Sequence, residues 1–176
     1  MKRSMVYNVL AQGVVFLFGL LNAILSAQVL GTVGKGQMAI YSLAMDMGIV
    51  FLILGLGMLA NALWMLAGPM HWYTELPAAV PDTGPFNAHF VRDIGCAFLT
   101  VSVALVWAAR SARFRMPLAV VSAIFLGAHA LLHIYDTARG ALGHNHWWLD
   151  LPGVYFPALA IGAAAYVLAR REAPAR

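Results

Sequence analysis

Five apolar runs, each long enough to cross a bilayer, dominate this chain and leave little room for another architecture. Crossing about 30 Å of hydrocarbon takes about 20 apolar residues in a helix. The runs cover residues 5–30, 38–67, 90–109, 116–135 and 151–169. They are continuous rather than alternating, so helices are expected and a membrane barrel is not. Composition agrees. Of 176 residues, 62% are hydrophobic and 10% are charged, and mean hydropathy is +0.78. A soluble domain is about half apolar and about a quarter charged, so this chain lacks the charges to cover a water-facing surface.

The first run follows Lys2 and Arg3. Its apolar region exceeds the roughly 7–15 residues of a signal peptide and has no well-placed small-x-small cleavage site, so a retained span is expected. Net charge is +4, with arginines grouped at Arg110, Arg113 and Arg115 and again at Arg170, Arg171 and Arg176. These groups flank apolar runs, which marks them as topology anchors and gives no reason to expect nucleic acid as a partner. The single cysteine, Cys96, excludes an internal disulfide and a multi-cysteine metal site. It lies in an apolar run and is expected to pack as a small residue.

The connections are of two kinds. Residues 31–37 and 110–115 are short and basic, whereas 68–88 and 136–150 are longer, aromatic and poor in lysine and arginine. If all five runs cross, the two aromatic loops emerge on the same face. Lys35, the Arg110 group and the C-terminal arginines then put that face outside, while Lys2 and Arg3 argue for the reverse. The shared side of the two loops holds in either orientation.

Those loops also share a phrase. His71-Trp72-Tyr73-Thr74-Glu75-Leu76-Pro77 matches His146-Trp147-Trp148-Leu149-Asp150-Leu151-Pro152 as His, Trp, aromatic, any, acid, Leu, Pro. Each copy lies between two spans, as expected of two helix–loop–helix units repeated in parallel about an axis along the membrane normal. The competing explanation is that Trp and Tyr gather at membrane interfaces and Pro opens helices. The fold expected is an all-α integral membrane protein. It is a four-helix bundle built from two helix–loop–helix repeats, plus an extra N-terminal transmembrane helix. The expected divisions are 1–37 for the N-terminal helix and linker, 38–170 for the bundle, and 171–176 for a basic tail.

Ionisable residues inside spans are costly and usually face the bundle interior or a polar cavity. His89, Arg92 and Asp93 open the third run at i, i+3, i+4. His129, His133 and Asp136 close the fourth at i, i+4, i+7. Each trio occupies one helical face. A short turn joins the two runs, so they form an antiparallel hairpin in which Asp93 comes level with about His133 and His89 with about Asp136. His89, Arg92, Asp93, His133 and Asp136 are therefore the candidate ligand-binding residues, and His89, Asp93, His133 and Asp136 are expected in one mutual contact cluster at the outer end of the bundle. His89, Asp93, His129 and His133 are the candidate metal ligands, because imidazoles at i, i+4 with a neighbouring carboxylate suit zinc, copper or iron. The same imidazoles suit haem ligation or a quinone headgroup. The competing account is a structural network locking two helix ends together. Arg92 points about 100° away from Asp93 on the helix, so its partner is expected to be Asp82, Asp136 or Asp150.

Elsewhere, Asn61 is expected to hydrogen-bond between helices, and Gly55 and Gly57 to allow close helix approach. Asp46 marks an interface, because residues 47–67 already suffice to cross. Gly31-Thr32-Val33-Gly34-Lys35-Gly36 lacks the glycine–lysine–hydroxyl ending of a phosphate loop and comes after a span. It is not one.

Two stretches carry resemblances to known families. The segments Trp64-Met65-Leu66, Trp72-Tyr73, Asp82-Thr83-Gly84-Pro85-Phe86-Asn87, His89-Phe90-Val91-Arg92-Asp93-Ile94-Gly95 and His129-Ala130-Leu131-Leu132-His133 resemble the small four-helix bacterial membrane proteins of the DoxX-like kind, over residues 59–168. That resemblance implies a bacterial inner-membrane location. The family's name-giving member is associated with a thiosulfate:quinone oxidoreductase, which implies a redox or quinone context. Residues 6–57, including Leu30-Gly31-Thr32-Val33-Gly34-Lys35-Gly36, are similar to the opening helices of polysaccharide flippases. Those transporters have many more spans, which implies an appended N-terminal segment here.

The function expected is that of an accessory or binding protein with a His/Asp/Arg-lined pocket near the non-cytoplasmic face, taking a metal, haem or quinone. One alternative is a membrane enzyme using His133 and Asp93 as acid–base groups. Another is a structural subunit of a larger membrane complex. The expected partners are the bilayer and either such a complex or further copies of the chain.

Overall fold

The computed structural model describes the backbone of residues 31–172 and the side chains of residues 47–170. The expected first span, 5–30, lies outside the described residues, as does the end of the basic tail. The chain divides into two compact units, Met1–Asp46 and Met47–Arg176. Every described element is helical: α1 (Gly31–Ala67), α2 (Pro69–Glu75), a 3-10 turn (Val80–Thr83), α3 (Ala88–Arg110), α4 (Ala112–Ala138), α5 (His146–Leu149), a π turn (Leu151–Tyr155) and α6 (Phe156–Glu172). Among the described residues, four segments are long and apolar enough to cross a membrane: Met47–Ala67, Ala88–Arg110, Ala112–Ala138 and Leu151–Arg170. The described residues are thus all-helical, and the chain is an integral membrane protein. Residues 31–37, expected as a connection, are helical. A fall in hydropathy marks where a span ends, and without a proline or cap it does not stop a helix.

Local chemistry sets the other boundaries. Gly68 leaves helical geometry and Pro69 opens α2 at its first position, where a missing N–H costs nothing. Asn87 caps α3 by accepting from the backbone N–H groups of His89 and Phe90, each at 3.1 Å. A single extended residue, Ser111, separates α3 from α4. Arg115 reaches back to donate to the carbonyls of Ala108 at 3.0 Å and Ala109 at 3.3 Å, satisfying acceptors that the end of α3 would otherwise leave open. The start of α6 widens into a π turn between Pro152 and Pro157. Val154 and Tyr155 both donate to the carbonyl of Asp150, at 2.8 and 3.1 Å, and Pro157 has no N–H with which to continue the ordinary ladder.

Within the Met47–Arg176 unit, α4 packs against both α3 and α6. The edge-on contact of Phe98 with Phe125, ring centroids 5.4 Å apart, places α3 and α4 as an antiparallel hairpin. The last turns of α1 lie against α3 through two glycines. A Cβ on Gly55 would come within 2.9 Å of Val106 Cγ2, and one on Gly95 within 3.1 Å of Met65 Cβ. Gly57, expected to share this role, has open space around it. Phe51, Met65, Leu105, Leu126 and Ile161 fill the core. Ile53, Ile124, Leu131 and Leu159 point outward and are more than half exposed. In water such a surface would be an association hazard; in a bilayer it is the lipid face.

Candidate functional site at the loop end of the bundle

Both aromatic loops sit at one end of the bundle, and they are built differently. In the first, α2 folds back along α1. Trp64 Nε1 donates to His71 Nδ1 at 2.9 Å, and Trp72 Nε1 donates to Asn61 Oδ1 at 2.8 Å. Tyr73 then donates its hydroxyl to the carbonyl of Gly84 at 2.7 Å and packs edge-on against Phe86. These contacts hold the loop and set Asp82, in the 3-10 turn, over the second loop.

The second loop carries the ionisable groups. His146 and Asp150 are four residues apart and face each other across one helical turn, and both are buried, at 0% and 2% exposure. His133 of α4 reaches the same carboxylate. Asp150 Oδ2 lies 2.8 Å from His133 Nδ1 and 3.3 Å from His146 Nδ1, so one oxygen stands between two imidazoles. The opposite nitrogen of His146, Nε2, lies 3.4 Å from Asp82 Oδ2. The order along the chain of contacts is Asp82, His146, Asp150, His133. Its middle is sealed, while its ends are open: the side chain of Asp82 is 53% exposed and that of His133 is 17% exposed. His129 continues the line on the same face of α4, its ring 4.7 Å from that of His133 and edge-on to Phe98.

One contact holds Asp150 in place. The residue stands at the junction of α5 and the last span, the C-cap of one and the N-cap of the other, and makes no side-chain capping hydrogen bond. The 2.8 Å contact to His133 has the length of a charge-assisted hydrogen bond. With the carboxylate as acceptor, Nδ1 of His133 is the donor and Nε2 carries the lone pair, which meets no hydrogen-bond partner among the described residues.

The candidates read from sequence are distributed over separate contacts. His133 belongs to the network just described. His89 and Asp93 pair with each other at 3.4 Å, and their side chains are 87% and 59% exposed. The hairpin register places Asp93 near the level of His133, but depth does not determine facing. Val91, Gly95, Phe98 and Val101 form the buried stripe of α3, and Asp93 is two residues, about 200°, from Val91. Asp136 pairs with Arg139 at 2.8 Å. Arg92 donates through Nε to the carbonyl of Leu66 at 3.3 Å and so closes the end of α1; its acidic candidates are engaged elsewhere. The expected metal set is divided in the same way, with His89 and Asp93 on one surface and His129 and His133 on another. Among the described residues, no group of three or more His, Cys, Asp or Glu is arranged to hold a metal ion.

His146 and Asp150 were legible as a spacing, since they stand at i, i+4 beside a span. Their tryptophan neighbours gave the phrase the look of an interfacial belt. Comparison with family models, curated proteins and solved structures finds no match for this chain.

Proposed function

We propose that this chain is a bacterial inner-membrane binding protein, an accessory subunit whose site is the Asp150-centred network at the non-cytoplasmic end of the bundle. The proposed architecture is five spans, with two helix–loop–helix units after an N-terminal span. One observation carries the reading: a carboxylate at 2% exposure, at the head of a membrane span, orients an imidazole that is itself 17% accessible. Burying such a group is costly unless it is paired, and His133 presents its free nitrogen from inside an apolar span. The ligand proposed is a lipid-soluble molecule with a flat hydrogen-bonding headgroup, of the quinone class. His129, with Phe125 stacked on it and Phe98 edge-on, supplies the adjoining aromatic wall. The DoxX-like resemblance of residues 59–168 points the same way. Metal and haem are the rival ligands.

Purified protein in detergent tests this through its organic extract, absorption spectrum and metal content. A quinone in the extract of the unaltered protein, depleted in His133→Gln, supports the reading. Stoichiometric metal or a Soret band transfers the site to ligation, and an empty extract with neither overturns binding. A second reading, a membrane acid–base enzyme, is favoured by the Asp150–His133 pair alone, which resembles the carboxylate–imidazole half of a catalytic relay. In that reading Asp150 takes the part the sequence suggested for Asp93.

A further inference from the structure

We infer that Asp82, His146, Asp150 and His133 form a proton relay that connects the water-facing loop surface to the free nitrogen of His133 inside the membrane span. The inference goes beyond ligand binding and stands without it. Its basis is the single oxygen, Asp150 Oδ2, placed 2.8 Å from one imidazole nitrogen and 3.3 Å from another. A proton received from one ring is already on the atom that faces the other. His146 is fully buried, and its two nitrogens face two different carboxylates, Asp150 at 3.3 Å and Asp82 at 3.4 Å. A purely structural histidine needs one such partner. Here both ring nitrogens are directed along one line, from a sealed interior to a carboxylate at the surface.

The transfer balances without any other reactant. His133 begins with its proton on Nδ1, donated to Asp150, and His146 with its proton on Nε2, donated to Asp82. When His133 accepts a proton at Nε2, its Nδ1 proton passes to Asp150 Oδ2. Asp150 hands it to His146 Nδ1, and the Nε2 proton of His146 passes to Asp82 and then to water. One proton enters and one leaves. Only N–H and O–H bonds change, and the reverse sequence delivers a proton inward. The other titratable groups beside this line are His129, against His133, and Tyr155, close to Asp150. His129 makes ring contacts and no hydrogen bond among the described residues, so it stands at the inner end rather than in the path.

Nitrogen-15-labelled histidine in the detergent-solubilised, ligand-free full chain provides the test. The quantity read is the exchange rate between water and the ring proton of His133, assigned by its loss in His133→Gln. Asp82 is exposed, so Asp82→Asn keeps the fold while removing the carboxylate that takes up and releases the proton at the surface end. The exchange rate is expected to fall about a hundredfold, as when a positioned acid–base group is removed, and Asp82→Glu is expected to restore it. An unchanged rate in Asp82→Asn overturns the relay, whatever the extract shows about ligand binding. A fall that Asp82→Glu does not reverse also overturns it, since it would assign Asp82 a merely structural contact.

Discussion

The two loops begin from the same phrase and end in opposite chemistry. In the first, His-Trp-Tyr-Thr-Glu-Leu-Pro forms a helix that stops: Leu76 turns extended after Glu75, and the acid is left exposed. In the second, His-Trp-Trp-Leu-Asp-Leu-Pro runs without a break through Asp150 into the last span, and the acid is buried between two histidines. The histidines diverge too. His71 accepts a hydrogen bond from Trp64, whereas His146 faces two carboxylates. A motif therefore specifies residue types and a membrane depth. The backbone beyond the motif, stopping or continuing as helix, decides whether its acid meets water or a partner.

The sharpest way to break this contrast is to remove the buried acid. Asp150→Ala leaves His133 and His146 without their shared acceptor. Stripping one partner from a buried pair typically costs about 3–5 kcal/mol, and thermal unfolding in detergent should show a loss of that size. A loss below about 1 kcal/mol would mean that the network is wet and behaves like a surface pair. Next in size is Asp150→Glu, which keeps the charge and adds one methylene to a site with 2% exposure. Overpacking of this kind costs about 1–3 kcal/mol, and an unchanged melting temperature would show the site to be roomier than its exposure indicates.

The same contrast separates what was legible in the sequence from what was not. The four spans of the Met47–Arg176 unit are legible in hydropathy, because an apolar run of that length has one stable form in a bilayer. The hairpin of α3 and α4 is legible in its short turn. The facing of His89 and Asp93 is not, since counting from a turn gives depth but not rotation. The rotation is set by where Gly95, against Met65 and Leu66, lets two backbones approach. His133 meets Asp150, 17 residues further on, across a loop that also carries His146. No spacing rule reaches across such a loop.

The first loop should respond more mildly, because its ties are neutral hydrogen bonds. Asn61→Ala removes the acceptor for Trp72 at 2.8 Å and should cost about 0.5–1.5 kcal/mol. Combined with Trp72→Phe it should cost little more than either change alone, since both delete one bond; fully additive losses would show that Trp72 is held by packing instead. Arg92→Ala, which releases the carbonyl of Leu66, should cost about 1 kcal/mol. Its effect should add to those of Asp82→Asn, Asp136→Asn and Asp150→Asn. A coupling above about 0.5 kcal/mol with any of the three would restore an acidic partner to Arg92.

The smallest expected effect tests the contrast most directly. Glu75→Asp makes the acid of the first phrase identical to that of the second. If the phrase itself drew the acid inward, the shorter side chain should now pair with His71, as Asp150 pairs with His146 four residues before it. The structure gives no reason for that. The helix ends at Glu75 and Leu76 is extended, with φ −64° and ψ 125°, so there is no continuing turn to enclose a carboxylate. His71 Nδ1 is already occupied, accepting the Trp64 proton at 2.9 Å. Asp150 instead heads a span, with His133 of a neighbouring helix 2.8 Å away. Glu75→Asp should therefore shift stability by no more than about 0.5 kcal/mol, as an exposed substitution does, and the indole N–H resonance of Trp64 should stay in place. A stabilisation above about 1 kcal/mol, with that resonance displaced, would show that the phrase alone builds the pair, and that chain continuity is not what separates the two loops.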